Sequence, residues 1–309
     1  MYHWGHSISR VIESTRLVLG FRPPAERRMG EEEMKVGNWF YGLGTAFAGM
    51  LDIAWGAFDG SHQPIQVLGK NLAGQQMLAY AAGAWLVAAG LGLLWRRSVR
   101  MGAAGCGIAY LIFAALWLLR YSAGFHAYGW RIDVFFGVSF GLAQQMMLVA
   151  PAAMIYFSPE STDSPWQKRA AVAARWMLGV PPVVFGLFHL IGIRVFATIV
   201  PQWMPFGYFW AAVTGIAFIL AGGAICSGIL DGMAARLLAL MLLLFEGLVE
   251  APPIFVRLHD EATWGAAVYN VAAIGACWIF VEFLASRAVG RQAVPPQEAT
   301  MTRTDPMVA

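Results

Sequence analysis

The chain has 309 residues, of which 59% are hydrophobic and 13% charged, and its mean hydropathy is +0.58. Soluble domains are about 45–50% apolar and about 25% charged, so this chain has more apolar side chains than one aqueous fold can bury. The formal net charge of +3 is small and scattered, which excludes a nucleic-acid-binding protein. The composition predicts an all-α, polytopic protein of the lipid bilayer.

Residues 1–37 precede the first long apolar stretch. Arg10, Glu13 and Arg16 interrupt the apolar core that a cleavable signal peptide needs. The apolar residues of SISRVIESTRLVLGF fall on one helical face, which favours a helix lying on the inner leaflet. A loosely ordered tail is the alternative. In either case we expect 1–37 to be a cytoplasmic N-terminal segment.

Eight apolar stretches follow, each of about the 20 residues that a helix needs to cross a bilayer. The fifth contains Pro181–Pro182, which predicts a kink, because neighbouring helices can satisfy the freed carbonyls. A charged linker, 158–172, follows the fourth stretch, and a polar tail, 287–309, predicted to be disordered, follows the last. The stretches cover residues 38–58, 75–95, 100–120, 132–157, 173–199, 207–229, 232–252 and 263–286.

The distribution of lysine and arginine predicts the orientation. With both termini in the cytoplasm, sixteen of the 21 lysines and arginines fall on the cytoplasmic side and five on the other. Membrane proteins carry such an excess on their cytoplasmic loops. We therefore expect a multi-pass protein of the cell (inner or plasma) membrane with a cytoplasmic N-terminus and C-terminus.

The two halves of the chain repeat one glycine pattern. A shift of 137 residues aligns their first helices, and a shift of 132 aligns the helices after the first outer loop. An even number of helices in each half gives both halves the same direction across the membrane. We therefore predict two tandem, parallel four-helix bundles, 38–157 and 173–286. The matched glycines are Gly42 with Gly179, Gly49 with Gly186, Gly83 with Gly215, and Gly90 with Gly222.

The second half carries RWMLGVPPVVFGLFHLIG, then the outer loop VPQWMP and the run TGIAFILAGG. These motifs resemble the DoxX-like family of four-helix membrane proteins. The first half, with GTAFAGMLDIAWG and LAYAAGAWLVAAGLGLLWRR, is similar but more diverged, so the resemblance covers about residues 38–286. It implies a four-helix membrane fold in each half and, as in some members, service as a membrane subunit of a quinone-linked oxidoreductase such as that of thiosulfate oxidation. The chain departs from the family by being doubled.

Ionisable and amide side chains within the apolar stretches are the candidates for function, because such residues are expensive in a membrane. At about 1.5 Å per residue, Asp52, His189, Glu246 and Glu250 lie roughly 18–25 Å from the cytoplasmic ends of their helices, and Asn270, entering from the outside, reaches a similar level. The first half has Ala114 and Leu118 where the second has two carboxylates, so the predicted site is asymmetric. The candidates are His189, Glu246, Glu250, Arg194, Asn270 and Asp52.

Two carboxylates, Glu246 and Glu250, lie one turn apart on the seventh stretch. We expect Glu246 to face the interior of the second half near His189, with Arg194 as a source of positive charge. As alternatives, Glu246 and His189 form a buried pair that only fixes helix packing, and Glu250 emerges at the interface to pair with Arg257. Asp52 is interpreted as a structural partner within the first half.

No catalytic motif indicates an enzyme that acts alone. The chain has no P-loop or dinucleotide fingerprint and no predicted metal site, and one membrane histidine cannot supply a bis-histidine haem. Cys106, Cys226 and Cys277 each stand alone in an apolar run. Three functions stay open: a membrane subunit that binds quinone and works with a soluble or membrane oxidoreductase, a proton-linked or small-solute transporter, and a non-catalytic structural module. Quinone is the one cofactor that these interpretations admit.

Overall fold

A computed structural model describes residues 35–58, 74–157 and 165–292. Helices joined by short turns account for these residues, and no β-strand occurs among them. The predicted surface helix before residue 35, the tail after residue 292 and the linker residues 158–164 lie outside the described residues.

Ten α-helices and one π-helical turn make up the described chain. Their bounds are α1 (Val36–Trp55), α2 (Gln75–Gly92), α3 (Val99–Tyr128), α4 (Ile132–Tyr156), α5 (Pro165–Ile191), α6 (Ile193–Ile199), α7 (Gly207–Ser227), α8 (Asp231–Phe245), the π turn (Glu246–Glu250), α9 (Ala251–Ile254) and α10 (Glu261–Gln292).

Six segments of the described chain are long and apolar enough to cross a membrane. They lie in α3, α4, α5, α7 and α10 and in the continuous segment Asp231–Ile254, which joins α8, the π turn and α9. The chain is therefore a multi-pass membrane protein. The two described helices α1 and α2 are not among the six, although they pack against the others.

The long helices pack in a ring: each contacts the next long helix along the chain, and the last contacts the first. Within the first half α1 packs on α2, α2 on α3 and α3 on α4; within the second half α5 packs on α7, α7 on α8 and α8 on α10. Between the halves, α4 packs on α5 and α10 packs on α1, and α4 also contacts α10. The halves thus share an extensive interface, and the first helix of each half packs on the last helix of the other.

Four fully buried side chains lie where α1, α3, α4 and α10 meet. Tyr41, Tyr110, Met147 and Cys277 are each 0% exposed. The Tyr41 hydroxyl donates to the carbonyl of Leu148 at 2.6 Å. Tyrosine hydroxyls in lipid-surrounded cores need such a partner, so this bond fixes α1 against α4.

Glycine pairs bring the first and second helix of each half into backbone contact. A Cβ at Gly42 would lie 2.8 Å from the carbonyl oxygen of Gly90, and one at Gly90 would lie 2.5 Å from the carbonyl oxygen of Gly42. Only glycine allows helices to approach this closely. Gly49 and Gly83 make the same reciprocal approach. In the second half a Cβ at Gly186 would overlap the carbonyl oxygen of Gly215 and one at Gly222 would overlap that of Gly179, whereas a Cβ at Gly179 would meet Cys226 Sγ, at 2.6 Å.

The fifth predicted stretch, 173–199, is wrong as one continuous helix. Pro181 and Pro182 lie inside α5, and the helix ends further on, at Ile191. Gly192 forms a turn, and α6 folds back onto α7. The ring of Phe196 then stacks on that of His189 with centroids 3.7 Å apart, whereas seven residues of straight helix would separate them by about 10.5 Å.

Two further predicted bounds are also wrong. Helix α5 begins at Pro165, inside the predicted linker, because PWQKRAAVA is rich in helix-forming residues. Helix α3 continues to Tyr128, beyond the predicted end of the stretch at residue 120. In both cases the prediction covers the apolar part of the helix, and the helix itself continues into less apolar residues.

Arg175 of α5 clamps the turn between α7 and α8. Its Nη2 donates to Asp231 Oδ2 at 2.6 Å, and both side chains are largely buried. Gly228, in the turn, has a φ of +76° and lies directly against the Arg175 guanidinium.

We expect Gly228→Ala to lower the free energy of unfolding by more than about 1–2 kcal/mol, the usual penalty for a left-handed conformation at a residue with a Cβ. The new methyl group would also displace Arg175 from Asp231. Thermal unfolding in detergent measures the change. Gly232→Ala is the matched control, because its Cβ would meet only Leu284 Cδ1, at 3.7 Å. Equal melting temperatures for the two variants would contradict the clamp.

Candidate functional site

The π turn interrupts the membrane segment where the two carboxylates lie. Pro252 and Pro253 have no N–H, and their rings would clash with the carbonyls of Leu248 and Val249 in a regular α-helix. The wider π turn relieves this clash, and the N–H of Ala251 bonds to the carbonyl of Glu246, five residues back. Single π turns within α-helices are frequent at functional sites.

Asn270 of α10 holds Glu246 in place. The Asn270 side chain is 6% exposed, and its Nδ2 donates to the Leu242 carbonyl at 2.7 Å and to Glu246 Oε2 at 3.1 Å. Both hydrogens of the Asn270 amide are therefore used, and the bond to Glu246 joins α10 to the π turn. A buried amide in lipid is stable only with such partners.

Glu250 interacts electrostatically with Glu246 and forms no hydrogen bond or ion pair with a described residue. The alternative pair of Glu250 with Arg257 is not formed, and Arg257 is exposed. Arg194, on α6, is likewise exposed and forms no ion pair with either glutamate. The expected positive charge is therefore absent from the carboxylate site in the described part of the chain.

The hydrogen bond expected between His189 and Glu246 is not formed. The Nδ1 of His189 donates to the carbonyl of Phe185, one turn back on its own helix, at 2.8 Å. The imidazole ring is stacked on Phe196 at an interplanar angle of 18°. Because the short helix α6 returns over α5, an aromatic ring and a backbone carbonyl occupy the histidine, and Asn270 takes the place predicted for it beside Glu246.

Phe218 of α7 packs between His189 and the residue that precedes Glu246. Its ring centroid lies 5.4 Å from that of His189 and 6.0 Å from that of Phe245, the residue before Glu246. A phenyl ring therefore lies between α5 and α8 where a direct polar contact was predicted.

Asp52 lies in the first half at the place that His189 occupies in the second. A Cβ at Gly83 would lie 3.2 Å from that of Asp52, and a Cβ at Gly215 would lie 3.1 Å from that of His189. Asp52 is 0% exposed and has an interaction partner. Asp52 is therefore buried against α2 within the first half, and its role as a structural partner stays a prediction.

A buried polar network at the centre of the molecule was not predicted. The Tyr110 hydroxyl donates to Thr45 Oγ1 at 3.1 Å, and the Tyr269 hydroxyl points to Met147 Sδ at 3.6 Å. These contacts join α3 to α1 and α10 to α4. Tyrosines within predicted spans were the available signal, since a phenol in lipid requires a partner.

Arg120 is a second unpredicted feature. Its guanidinium carbon lies 4.0 Å from the centroid of the Trp117 ring, and its buried Nε has no hydrogen-bond partner. The contact is a cation–π interaction, which offsets part of the loss of hydration.

The described residues contain no group of three histidine, cysteine, aspartate or glutamate side chains that could hold a metal ion. No protein-family model, curated protein or solved structure matches the chain. The carboxylate site consists of Glu246, Glu250 and Asn270.

Proposed function

We propose that the chain is a DoxX-like membrane subunit of a quinone-linked redox system, in which Glu246 exchanges protons with a bound quinone. We further propose that all eight long helices cross the membrane, as two tandem four-helix repeats with both termini in the cytoplasm. The protein then serves an oxidoreductase partner and performs no electron transfer by itself.

The glycine contacts support the tandem repeat. The glycines that the sequence matches between the halves are the ones that touch across the first and second helices of each half. The order of helix contacts is also the same in the two halves. Since α1 and α2 correspond to α5 and α7, which are apolar enough to cross a membrane, we assign a span to each of them as well. The excess of lysine and arginine in the cytoplasmic segments supports the orientation.

The observation that carries the function is the state of Glu246. One oxygen is held by Asn270, and the described chain supplies no cation to balance the charge. Membrane carboxylates in such surroundings serve in proton relays. Reduction of a quinone takes up two protons together with two electrons, so a quinone site needs a group that can give and take a proton inside the bilayer.

Glu250 favours a second candidate function, proton-linked transport. A carboxylate beside another carboxylate, with no ion pair among the described residues, can bind a proton or cation during transport. The two functions differ in what they need: transport requires a second solute or a gradient, and the redox subunit requires quinone.

Purified protein in liposomes should distinguish these functions. We expect a ubiquinone with a short tail to raise the melting temperature, because a ligand at a hundred times its Kd stabilises the folded state by about 2.7 kcal/mol. A trapped pH dye should show no flux beyond that of empty liposomes when a pH gradient is imposed. Proton uptake without quinone, together with an unchanged melting temperature, would favour the transporter and contradict the proposal.

A further inference from the structure

The hydrogen bond of His189 determines which of its ring nitrogens carries the proton. A backbone carbonyl can only accept, so the 2.8 Å contact with the Phe185 carbonyl requires a hydrogen on Nδ1. No carboxylate is bonded to the ring, and a charged imidazole without a counter-charge is strongly disfavoured in these apolar surroundings. In the neutral ring the other nitrogen, Nε2, then has a free lone pair and is an acceptor.

That acceptor is not used by the described chain. His189 makes no other hydrogen bond with a described residue, and its side chain is partly exposed. The ring cannot readily turn away, because it is stacked on Phe196 at 3.7 Å and fixed by Nδ1. The molecule therefore presents a rigid hydrogen-bond acceptor close to the end of the membrane-capable segment Lys168–Ile191.

The surroundings of this acceptor are aromatic. Phe218 lies 5.4 Å from the imidazole, and Phe188 lies 5.5 Å from Phe196, so phenyl rings from α5, α6 and α7 surround it. Such rings favour a flat, apolar ligand through edge and face contacts. Because a lone pair accepts, the ligand must bring the hydrogen: a hydroxyl fits, whereas a carbonyl would place two acceptors against each other.

The site lies beside exposed apolar side chains of α6 and of the residue before α7. Val195 and Ile199 of α6 are 63% and 49% exposed, and Phe206, before α7, is 78% exposed. Exposed apolar surface of this kind is suited to contact with lipid or with an apolar ligand. This apolar surface favours an apolar ligand that partitions into the bilayer.

We propose that His189, Phe196 and Phe218 form a binding site for a membrane-soluble phenol or hydroquinone, whose hydroxyl donates to Nε2 of His189. This deepens the proposed function, because it assigns the reduced form of the quinone to this site. The hydroquinone identity rests on that function, whereas recognition of a phenolic hydroxyl does not.

The first test uses two redox-inert probes, thymol and its methyl ether, with the protein in lipid nanodiscs and empty nanodiscs as the blank. The ether has the same ring but no hydroxyl hydrogen. We expect thymol to bind about tenfold more tightly, the ratio that one good neutral hydrogen bond provides. Equal binding, tighter binding of the ether, or no binding of either probe would overturn the inference, and no variant is needed to reach this result.

Variants test whether His189 causes the preference for thymol over its methyl ether. His189→Phe keeps an aromatic ring in the cluster and removes the acceptor, so the preference for thymol should fall to about onefold. His126→Phe, the same change at an exposed histidine of α3, should leave it at about tenfold. A preference that survives in His189→Phe would place the hydroxyl elsewhere and overturn the inference.

A second pair of probes separates this inference from the proposed function. Tetramethylhydroquinone should bind more tightly than tetramethylquinone under anaerobic conditions, by a similar factor. If thymol shows its preference but the hydroquinone shows none, the hydroxyl site stands and the assignment of the reduced quinone is wrong. If both pairs give no preference, the site itself is wrong, whatever quinone does to the stability of the protein.

Discussion

Gly222→Leu should prevent folding, while Gly223→Leu, one residue further along α7, should leave the protein intact. A Cβ at Gly222 would overlap the carbonyl oxygen of Gly179 and lie 2.7 Å from Val183 Cγ2 and 2.9 Å from Val183 N. Two of these atoms belong to the backbone of α5, so neither can move without moving the helix. A Cβ at Gly223 would meet nothing within 4 Å.

The expected loss for Gly222→Leu exceeds about 3 kcal/mol, the upper end for ordinary overpacking, because two helices must separate. The measurement is the yield of monodisperse protein in mild detergent, followed by thermal unfolding. Gly90→Leu should fail in the same way, since its Cβ would lie 2.6 Å from Ala46 N. Similar yields for Gly222→Leu and Gly223→Leu would show that α5 and α7 do not approach through this glycine.

The sequence predicts the helices well because the apolar stretches are long. Stretches predicted at 132–157 and 207–229 are observed as Ile132–Tyr156 and Gly207–Ser227. The break at Gly192 was not predicted, because hydropathy does not distinguish a continuing helix from one that turns back. Only the tertiary stack of Phe196 on His189 reveals the reason for the turn.

The sequence identified residues of the candidate site but not which of them contact each other. Glu246 and Asn270 were both chosen from the sequence, and the structure joins them. His189 was assigned to the same group on depth alone, and depth along a helix says nothing about the direction in which a side chain points. The π turn depends on the adjacent prolines, Pro252–Pro253, and hydropathy does not reveal it.

The glycine pattern was predictive for a different reason. Where two helices cross in backbone contact, each needs a glycine at the crossing point. The same helix crossing occurs in both halves, so the same spacing of glycines occurs in both halves of the sequence. The buried tyrosines Tyr41 and Tyr110 carry no such spacing, and their partners lie on other helices. Their network was therefore found only in the structure.

Glu246→Gln should give a folded protein that no longer supports quinone-linked activity. Glutamine keeps the length of the side chain, and its carbonyl oxygen can still accept from Asn270 Nδ2, so α10 stays joined to the π turn. We expect the melting temperature to change little. An amide cannot exchange a proton as a carboxyl group does, and loss of a positioned acid–base group lowers rates by about 10²–10⁴-fold.

The measurement is quinone reduction in membranes of the native cell, where the proposed oxidoreductase partner would be present, after the chromosomal copy is replaced by the variant. Glu261→Gln, at the start of α10, is the matched control for loss of one carboxylate, and it lies outside the site. Full activity of Glu246→Gln at a normal expression level would show that the carboxylate only fixes helix packing. An unfolded Glu246→Gln protein would mean that helix packing itself requires the charge. Asn270→Leu would then be tested, because it removes the hydrogen bond to Glu246 but keeps the carboxylate. A folded but slow Asn270→Leu protein supports a role for Asn270 in positioning the acid, and a folded and active one rules that role out.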